Sequence, residues 1–214
     1  LKVIQRPQEL GVTPIFTNNA WMVIKQSASG KPWTECTKDD IRIVVGFDHL
    51  NKFIRVTPGK VTKPEHIYSR LAAWKVISEL DFRDCYHQIP IKSDTEQDRL
   101  KQGYLCIRTA FGTLVYNRAP QGLLGMDCIQ DEVTDLLFGD LIVQGKMIKI
   151  ADNLYFGGNT VEDLNKILDT ILFRCKTANM RIKPSKITLN IHKTEILGLV
   201  TQGLDSPYNS YISY

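Results

Sequence analysis

Met147-Ile148-Lys149-Ile150-Ala151-Asp152-Asn153-Leu154-Tyr155-Phe156-Gly157-Gly158 sets two short apolar runs on either side of a polar pair. That pattern predicts a tight antiparallel hairpin with Asp152 at its tip. Taken alone, Ala151-Asp152-Asn153 reads as a plain Asx-type turn, because such side chains bond their own backbone in turns. The flanks are helical. Upstream, Met126, Ile129, Val133, Leu136 and Leu137 recur at helical spacing and Gly139 supplies a stop, predicting an amphipathic helix over 122–138. Downstream, Thr160 and Asp163 resemble a capping box, and Leu164, Ile167, Leu168, Ile171, Leu172 and Cys175 form the clearest helical stripe in the chain. A helix over 160–178 ending near Asn179 follows.

Further upstream, Val76 to Phe82 has extended character and carries Asp81 near its end, within Glu79-Leu80-Asp81-Phe82-Arg83-Asp84-Cys85-Tyr86. Before it, Pro64 opens a helical pattern with Ile67, Leu71, Trp74 and Ser78 near one face. Ala20 to Lys25 and Ile41 to Phe47 read as strands around a long polar loop, Gln26 to Asp40, and so predict a hairpin lobe. Tyr104 to Tyr116, broken by Phe111-Gly112-Thr113, reads as two strands joined by a turn. An acid at a strand end beside an acid at a hairpin tip could cluster carboxylates for a hard cation such as Mg²⁺, which takes oxygen ligands. By itself Asp81 reads first as a capping or salt-bridged surface acid, and spacing does not join the two.

The chain has 214 residues, 43% hydrophobic and 23% charged, which fits one large domain or two small lobes and excludes a disordered or fibrous class. Its formal charge of +4 permits nucleic-acid contact without requiring it. Cys36, Cys85, Cys106, Cys128 and Cys175 are odd in number and widely spaced, with no Cys-x-x-Cys, arguing against a disulfide framework or a zinc site and for a reducing compartment. No apolar run approaches the roughly 20 residues needed to span a bilayer. The first residue, Leu1, suggests a processed product or excised fragment.

Five blocks, in order, carry a resemblance that covers nearly the whole chain. They are Arg42 through Phe47-Asp48-His49-Leu50-Asn51-Lys52; Leu80-Asp81-Phe82-Arg83-Asp84-Cys85-Tyr86-His87-Gln88-Ile89; Phe111 through Pro120-Gln121-Gly122; Ala151-Asp152-Asn153; and Arg181-Ile182-Lys183-Pro184-Ser185-Lys186, followed by Glu195-Ile196-Leu197-Gly198. Together they resemble the fingers and palm of a reverse transcriptase from a gypsy-like long-terminal-repeat retrotransposon. The resemblance implies an α+β right-hand polymerase, its antiparallel palm sheet backed by helices, with residues 1–79 mainly fingers with an N-terminal extension and 80–214 mainly palm ending at the primer-grip hairpin, the two interleaving around 88–120.

The function implied is RNA-directed DNA polymerisation by a fragment of a retrotransposon polyprotein, through two-metal nucleotidyl transfer. Asp81 and Asp152 would hold the Mg²⁺ ions, with Mn²⁺ as an alternative, and Asn153 falls where the family has a second adjacent aspartate. Tyr86 matches the aromatic steric gate against ribose. Gln121 matches the residue packing on the nucleotide sugar, Arg42 the arginine clamping the triphosphate, and Lys186 a palm lysine proposed to protonate pyrophosphate. Either Lys25 or Lys31 would be the accompanying fingers lysine. The implied partners are an RNA or DNA template with primer and deoxynucleoside triphosphates, with no membrane, in a cytoplasmic or virus-like-particle setting. Two departures stand out: Asn153 removes one negative charge from the metal site, and Gly46 and Asp48 stand where the family usually has an Asp and an Arg. On sequence alone, Asn153→Asp should therefore strengthen metal binding. The contrasting function is an inactive remnant retained as a nucleic-acid-binding or protein-interaction module.

Overall fold

The apolar residues of the two long helical stripes need a sheet to cover, and the extended segments between them supply it. The computed structural model describes residues 2–56, 64–82, 84–150, 153–191, 193–196 and 199–202. In chain order the elements are β1 (Ile4–Gln5), β2 (Thr17–Ile24), β3 (Ile41–Gly46), α1 (Asp48–Asn51), α2 (Pro64–Ala73), β4 (Val76–Phe82), α3 (Glu96–Gln102), β5 (Cys106–Thr109), β6 (Gly112–Tyr116), α4 (Met126–Val143), β7 (Met147–Ile150), β8 (Asn153–Gly158), α5 (Val161–Thr177), β9 (Ile182–Thr188), β10 (Lys193–Ile196) and β11 (Leu199–Gln202). They divide between two compact units, residues 1–57 with 86–127 and residues 58–85 with 128–214.

The second unit is built on a four-stranded antiparallel sheet in the order β7-β8-β4-β9. Strand β4 alternates between two cores. Val76, Leu80 and Phe82 face one way and pack with Phe138 and Leu141 of α4 and Leu164, Ile167 and Ile171 of α5. Phe82 and Phe138 stack with ring centroids 6.4 Å apart. Ile77 faces the other way, packing with Ile148 and Tyr155 under Ile67, Leu71 and Trp74. Period-2 alternation thus gives one strand two buried faces at its start.

Two helix boundaries differ from the sequence expectation. Helix α4 neither starts at 122 nor stops at 138. Gly122 and Gly125 take φ of 91° and 87°, which delays the start to Met126. The apolar stripe continues past Gly139 to Leu141 and Ile142 against the sheet, and the stop comes at Gly145, φ 73°. There the Gly145 and Lys146 N–H groups donate to the Ile142 and Leu141 carbonyls at 3.1 and 2.9 Å, a Schellman ending that requires a left-handed residue. Helix α2 ends at Ala73, so Trp74 lies beyond it and Ser78 lies on β4. The Trp74 indole N–H donates to the Gly145 carbonyl, just beyond α4, at 2.8 Å, and Arg70 gives the Ile142 carbonyl a second donor at 2.6 Å. Helix α5 is capped by Thr160, whose hydroxyl accepts from the Asp163 N–H at 3.1 Å, and it ends where Asn179 turns to φ 54°. A reciprocal capping box forms elsewhere, between Thr95 and Asp98 at the start of α3. Arg174 of α5 donates to both carboxylate oxygens of Asp140 on α4, at 2.5 and 2.8 Å.

The first unit carries a five-stranded sheet in the order β1-β6-β5-β2-β3, antiparallel except for the β2–β5 pair. Phe47, Ile107 and Tyr116 form its main core, with Ala20, Val45, Leu50 and Leu114 against them. The loop between β2 and β3 is tied down rather than free. Lys31 bonds Asp40 at 2.7 Å, Thr37 adds bonds to the same carboxylate, and these hold the Asp40 carboxyl down at about 2. All five cysteines are free thiols, and burial pushes Cys106 and Cys175 up to about 11.

This packing generates a pair of stability predictions. A Cβ on Gly157 would lie 2.5 Å from the Trp74 ring and 2.6 Å from the Val76 carbonyl oxygen. Gly157→Ala should therefore cost about 1–3 kcal/mol and lower the melting temperature by several degrees. Gly139→Ala meets nothing within 4 Å, and as a mid-helix change should stabilise by roughly 0.5–1 kcal/mol. Thermal denaturation of both variants checks the contrast. The second prediction concerns acid. The Arg174 guanidinium holds the Asp140 carboxyl down from 3.8 to about 2. Its contribution is present above the unfolded value and is lost as pH falls through about 2. Arg174→Gln should lower stability at neutral pH and flatten the decline in melting temperature between those pH values.

Candidate active site

The polar end of β4 is where the second core gives way to solvent. Glu79 and Asp81 share the face that Ile77 begins, because residues two apart on a strand point the same way. Asp81 pairs directly with Asn153 across the β4–β8 ladder, and Glu79 with Tyr155. The four side chains thus occupy adjacent positions on one face. Residues 151 and 152, where the sequence predicts the hairpin tip, lie outside the described residues, so the expected contact between the Asp81 and Asp152 carboxylates falls outside them too. The arms of that hairpin are β7 and β8, paired from Met147↔Phe156 to Ile150↔Asn153.

From the other side, β9 delivers Lys186 to Asp81. The β4–β9 register runs Glu79↔Thr188 and Leu80↔Ile187, then shifts, so that two steps along β4 are matched by five along β9 before Phe82↔Ile182. Pro184 lies in that gap, where its missing N–H withdraws no ladder bond. Lys186 sits beside the irregularity and forms an ion pair with Asp81. The Asp81 side chain is only 16% exposed, so the ammonium faces a carboxylate largely withdrawn from water.

A hydrogen-bond chain completes the face. The Tyr155 hydroxyl donates to Glu79 Oε1 at 3.1 Å, and Asn153 Nδ2 donates to the Tyr155 hydroxyl oxygen at 3.5 Å. Burial pushes the Tyr155 hydroxyl's pKa up, and the Glu79 carboxylate beside it acts in the same direction. Among the described residues no group of three or more His, Cys, Asp and Glu side chains could hold a metal ion. The donor set that is described, the Asp81 carboxylate beside the Asn153 amide, consists of the hard oxygen ligands that suit Mg²⁺. A cleft of about 380 Å³ lined by Trp74, Lys146, Asn159 and Lys166 lies at the opposite end of the sheet from Asp81 and touches none of these residues.

The remaining expected residues fall in the first unit. Arg42 lies exposed on β3, paired with Val23. Tyr86 opens a 3-10 turn, and its hydroxyl bonds to Asp127. Gln121 is exposed on the loop before α4. That loop is held by Asn51, whose Nδ2 donates to the Gly122 carbonyl at 3.1 Å and whose Oδ1 accepts from the Leu124 N–H at 2.9 Å. The Leu-Asn-Lys block thereby acquires a physical role: its asparagine fixes the Gln121 segment. Lys31 is committed to Asp40, and Lys25 donates to the Asp39 carbonyl at 2.7 Å. Gly46 is also accounted for. A Cβ there would lie 3.0 Å from the Trp21 ring, so the indole takes the space a larger residue would need. Sequence reasoning passed over Glu79, Tyr155 and Asp127. The available signal for the first two was an acid two residues before Asp81, and a tyrosine two residues after Asn153, on the same strand faces.

The chain is 25% identical over 205 residues to "Uncharacterized protein K02A2.6" of Caenorhabditis elegans, covering 93% of this chain and 15% of that protein. It is 23% identical over 158 residues to the "Retrovirus-related Pol polyprotein from transposon 412" of Drosophila melanogaster, covering 73% of this chain and 12% of that protein. The chain thus spans only a small part of each of these relatives. Among solved structures, the foamy viral protease-reverse transcriptase in complex with RNA/DNA hybrid superposes with a TM-score of 0.73 at 19% identity, covering 94% of this chain and 24% of that one. The native prototype foamy virus protease-reverse transcriptase gives 0.71 at 16%, covering 94% and 24%. These likenesses establish the fold. Residues 19–201 match the family described as reverse transcriptase (RNA-dependent DNA polymerase), and with well over half its length matched, this chain belongs to that family.

Proposed function

We propose that this chain is the fingers-and-palm part of a reverse transcriptase from a gypsy-like long-terminal-repeat element, and that it extends a DNA primer on an RNA or DNA template. The observation that carries the reading is the Asp81↔Asn153 cross-strand pair with Lys186 ion-paired to Asp81. The gypsy-like assignment rests on the five sequence blocks and is supported by similarity to the transposon 412 polyprotein. We assign the first unit to the fingers and the second to the palm. Nucleic-acid partners are supported by the foamy viral relatives solved with RNA/DNA hybrid and with double-stranded DNA.

Asp81 and Asp152 are the carboxylates that would hold Mg²⁺, with Asn153 offering a neutral amide oxygen beside them. Bound there, the metal supplies activation of the primer 3′-hydroxyl and neutralisation of the departing pyrophosphate. Lys186, paired with Asp81, keeps a proton-bearing ammonium at that carboxylate and offers the general acid for the leaving group. Arg42 contributes a planar bidentate donor for triphosphate oxygens. Gln121 is offered to the deoxyribose by the loop that Asn51 holds. The Tyr86 ring, steadied through its bond to Asp127, excludes a ribose 2′-hydroxyl by volume.

Primer extension on a primed RNA template with Mg²⁺ tests this directly. Extension by the parent chain is expected, and Asp81→Asn should reduce it by about a thousandfold or more, since a metal ligand contributes several kcal/mol to the transition state. Tyr86→Ala should raise ribonucleotide use relative to deoxynucleotide use by roughly tenfold or more. A folded parent that binds the primed template and does not extend it would overturn the polymerase reading in favour of a binding module.

A further inference from the structure

The face that carries Asp81 also holds Glu79 on β4 and Asn153 on β8, which Tyr155 joins. A phenolic hydroxyl has one proton to donate and two lone pairs to offer. Glu79, as a carboxylate, only accepts. With the Tyr155 hydroxyl donating to Glu79 Oε1, the oxygen of Tyr155 presents only lone pairs to position 153. A donor is required there, and Asn153 Nδ2 supplies it. Because the two amide atoms diverge from one planar carbon, pointing Nδ2 at Tyr155 turns Oδ1 away from it.

We infer that Glu79 and Tyr155 are positioning residues that fix the orientation of the Asn153 amide, and that Asn153 is matched to Glu79 through the direction of the Tyr155 hydrogen bond. The inference rests on the polymerase reading only for its functional consequence: Oδ1, turned from Tyr155, is the atom offered beside Asp81. The geometry is independent of that reading. An aspartate at 153 would put an acceptor against the lone pairs of Tyr155. The hydroxyl would then have to choose between two carboxylates, leaving one unpaired, with Glu79, Asp81 and the new acid crowded on one face of two adjacent strands. Like charges at neighbouring cross-strand positions are destabilising. On sequence alone Asn153→Asp returns a metal ligand; on this face it carries a penalty that Glu79 sets. The negative charge missing at 153 is present at 79.

The network reverses cleanly, which makes it testable. When Glu79→Gln is combined with Asn153→Asp, the Tyr155 hydroxyl donates to the carboxylate introduced at position 153. The amide nitrogen introduced at position 79 donates to Tyr155 in turn, so each bond survives with opposite direction. Thermal unfolding of the parent, both single variants and the double variant, in EDTA and without nucleic acid, measures the coupling. Asn153→Asp should lower the melting temperature by about 2–4 °C. Glu79→Gln, whose Oε1 still accepts from Tyr155, should stay near the parent, and the double variant should recover most of the loss. An Asn153→Asp variant as stable as the parent, or one penalised equally in the Glu79→Gln background, overturns the inference. A second measurement covers the case in which Asn153→Asp does not fold. Glu79→Ala frees the amide and should raise the Mg²⁺ concentration for half-maximal extension roughly tenfold, the scale for loss of a group that orients a ligand. Glu79→Gln should stay within about twofold of the parent, a rescue that a merely space-filling role would not produce. Equal Mg²⁺ requirements in Glu79→Ala and the parent overturn the inference. A parent with no extension, alongside a coupled unfolding cycle, upholds the positioning network and overturns the polymerase reading alone.

Discussion

Strand β4 is the constraint on which the second unit depends, because it is bonded on both edges and buried on both faces at its start. Its alternation is strict: Val76, Leu80 and Phe82 turn to the α4–α5 core, while Ile77, Glu79 and Asp81 turn to the other side. A slip of one residue against β8 would exchange those sets. Asp81 and Glu79 would enter a core lined by Phe138 and Phe156, where an unpaired charge costs several kcal/mol or more. The register that sets Asp81 opposite Asn153 is therefore enforced by packing, and the chemistry inherits its position from hydrophobic burial.

The same strand explains how acids come to be held on a sheet face without collapsing into it. The cover over that face is local. Ile67, Leu71 and Trp74 shield Ile77 and part of Tyr155 but leave the Asp81 end half open. Each acid there has a partner: Glu79 accepts from Tyr155, and Asp81 pairs with Lys186. The irregular β4–β9 register around Pro184 brings the lysine to that edge, since a bulge changes where a strand aims its side chains. With a cation already standing at the carboxylate, a divalent ion would have to share Asp81 with Lys186 or displace it.

Around this face the helices are locked at their ends. The last carbonyls of α4 are taken by Gly145, Lys146 and Arg70, and Trp74 bonds the Gly145 carbonyl just beyond, which ties α2 and the residue after it to the end of α4. The same tryptophan needs the bare backbone of Gly157. Arg174 joins α5 to α4 by a two-point bond to Asp140. In the first unit, Asn51 does comparable work by bracketing the turn that carries Gln121. Within each unit, ends fixed in this way hold the neighbouring side chains in place, and positioning errors of an ångström are costly in catalysis.

Periodicity alone determined the β7–β8 hairpin arms, the capped helix α5 and the extended run through Asp81, since each rests on local spacing and local turn chemistry, while the α+β class came with the family resemblance. The family was legible because five blocks kept their order along the chain, and residue types such as Asp81, Tyr86, Arg42 and Gln121 stood within them. What only the tertiary structure decided depends on partners distant in sequence. Gly139 reads as a stop until the sheet beneath Leu141 and Ile142 shows that the helix has more surface to cover. Trp74 and Ser78 continue a helical pattern until Trp74 finds the Gly145 carbonyl and Ser78 joins a strand. Glu79 and Tyr155 carry no motif, and 76 residues separate them. Only the antiparallel register sets them side by side, because a hydrogen bond's direction depends on which groups face each other in space, and that is not written in either residue's neighbourhood along the chain.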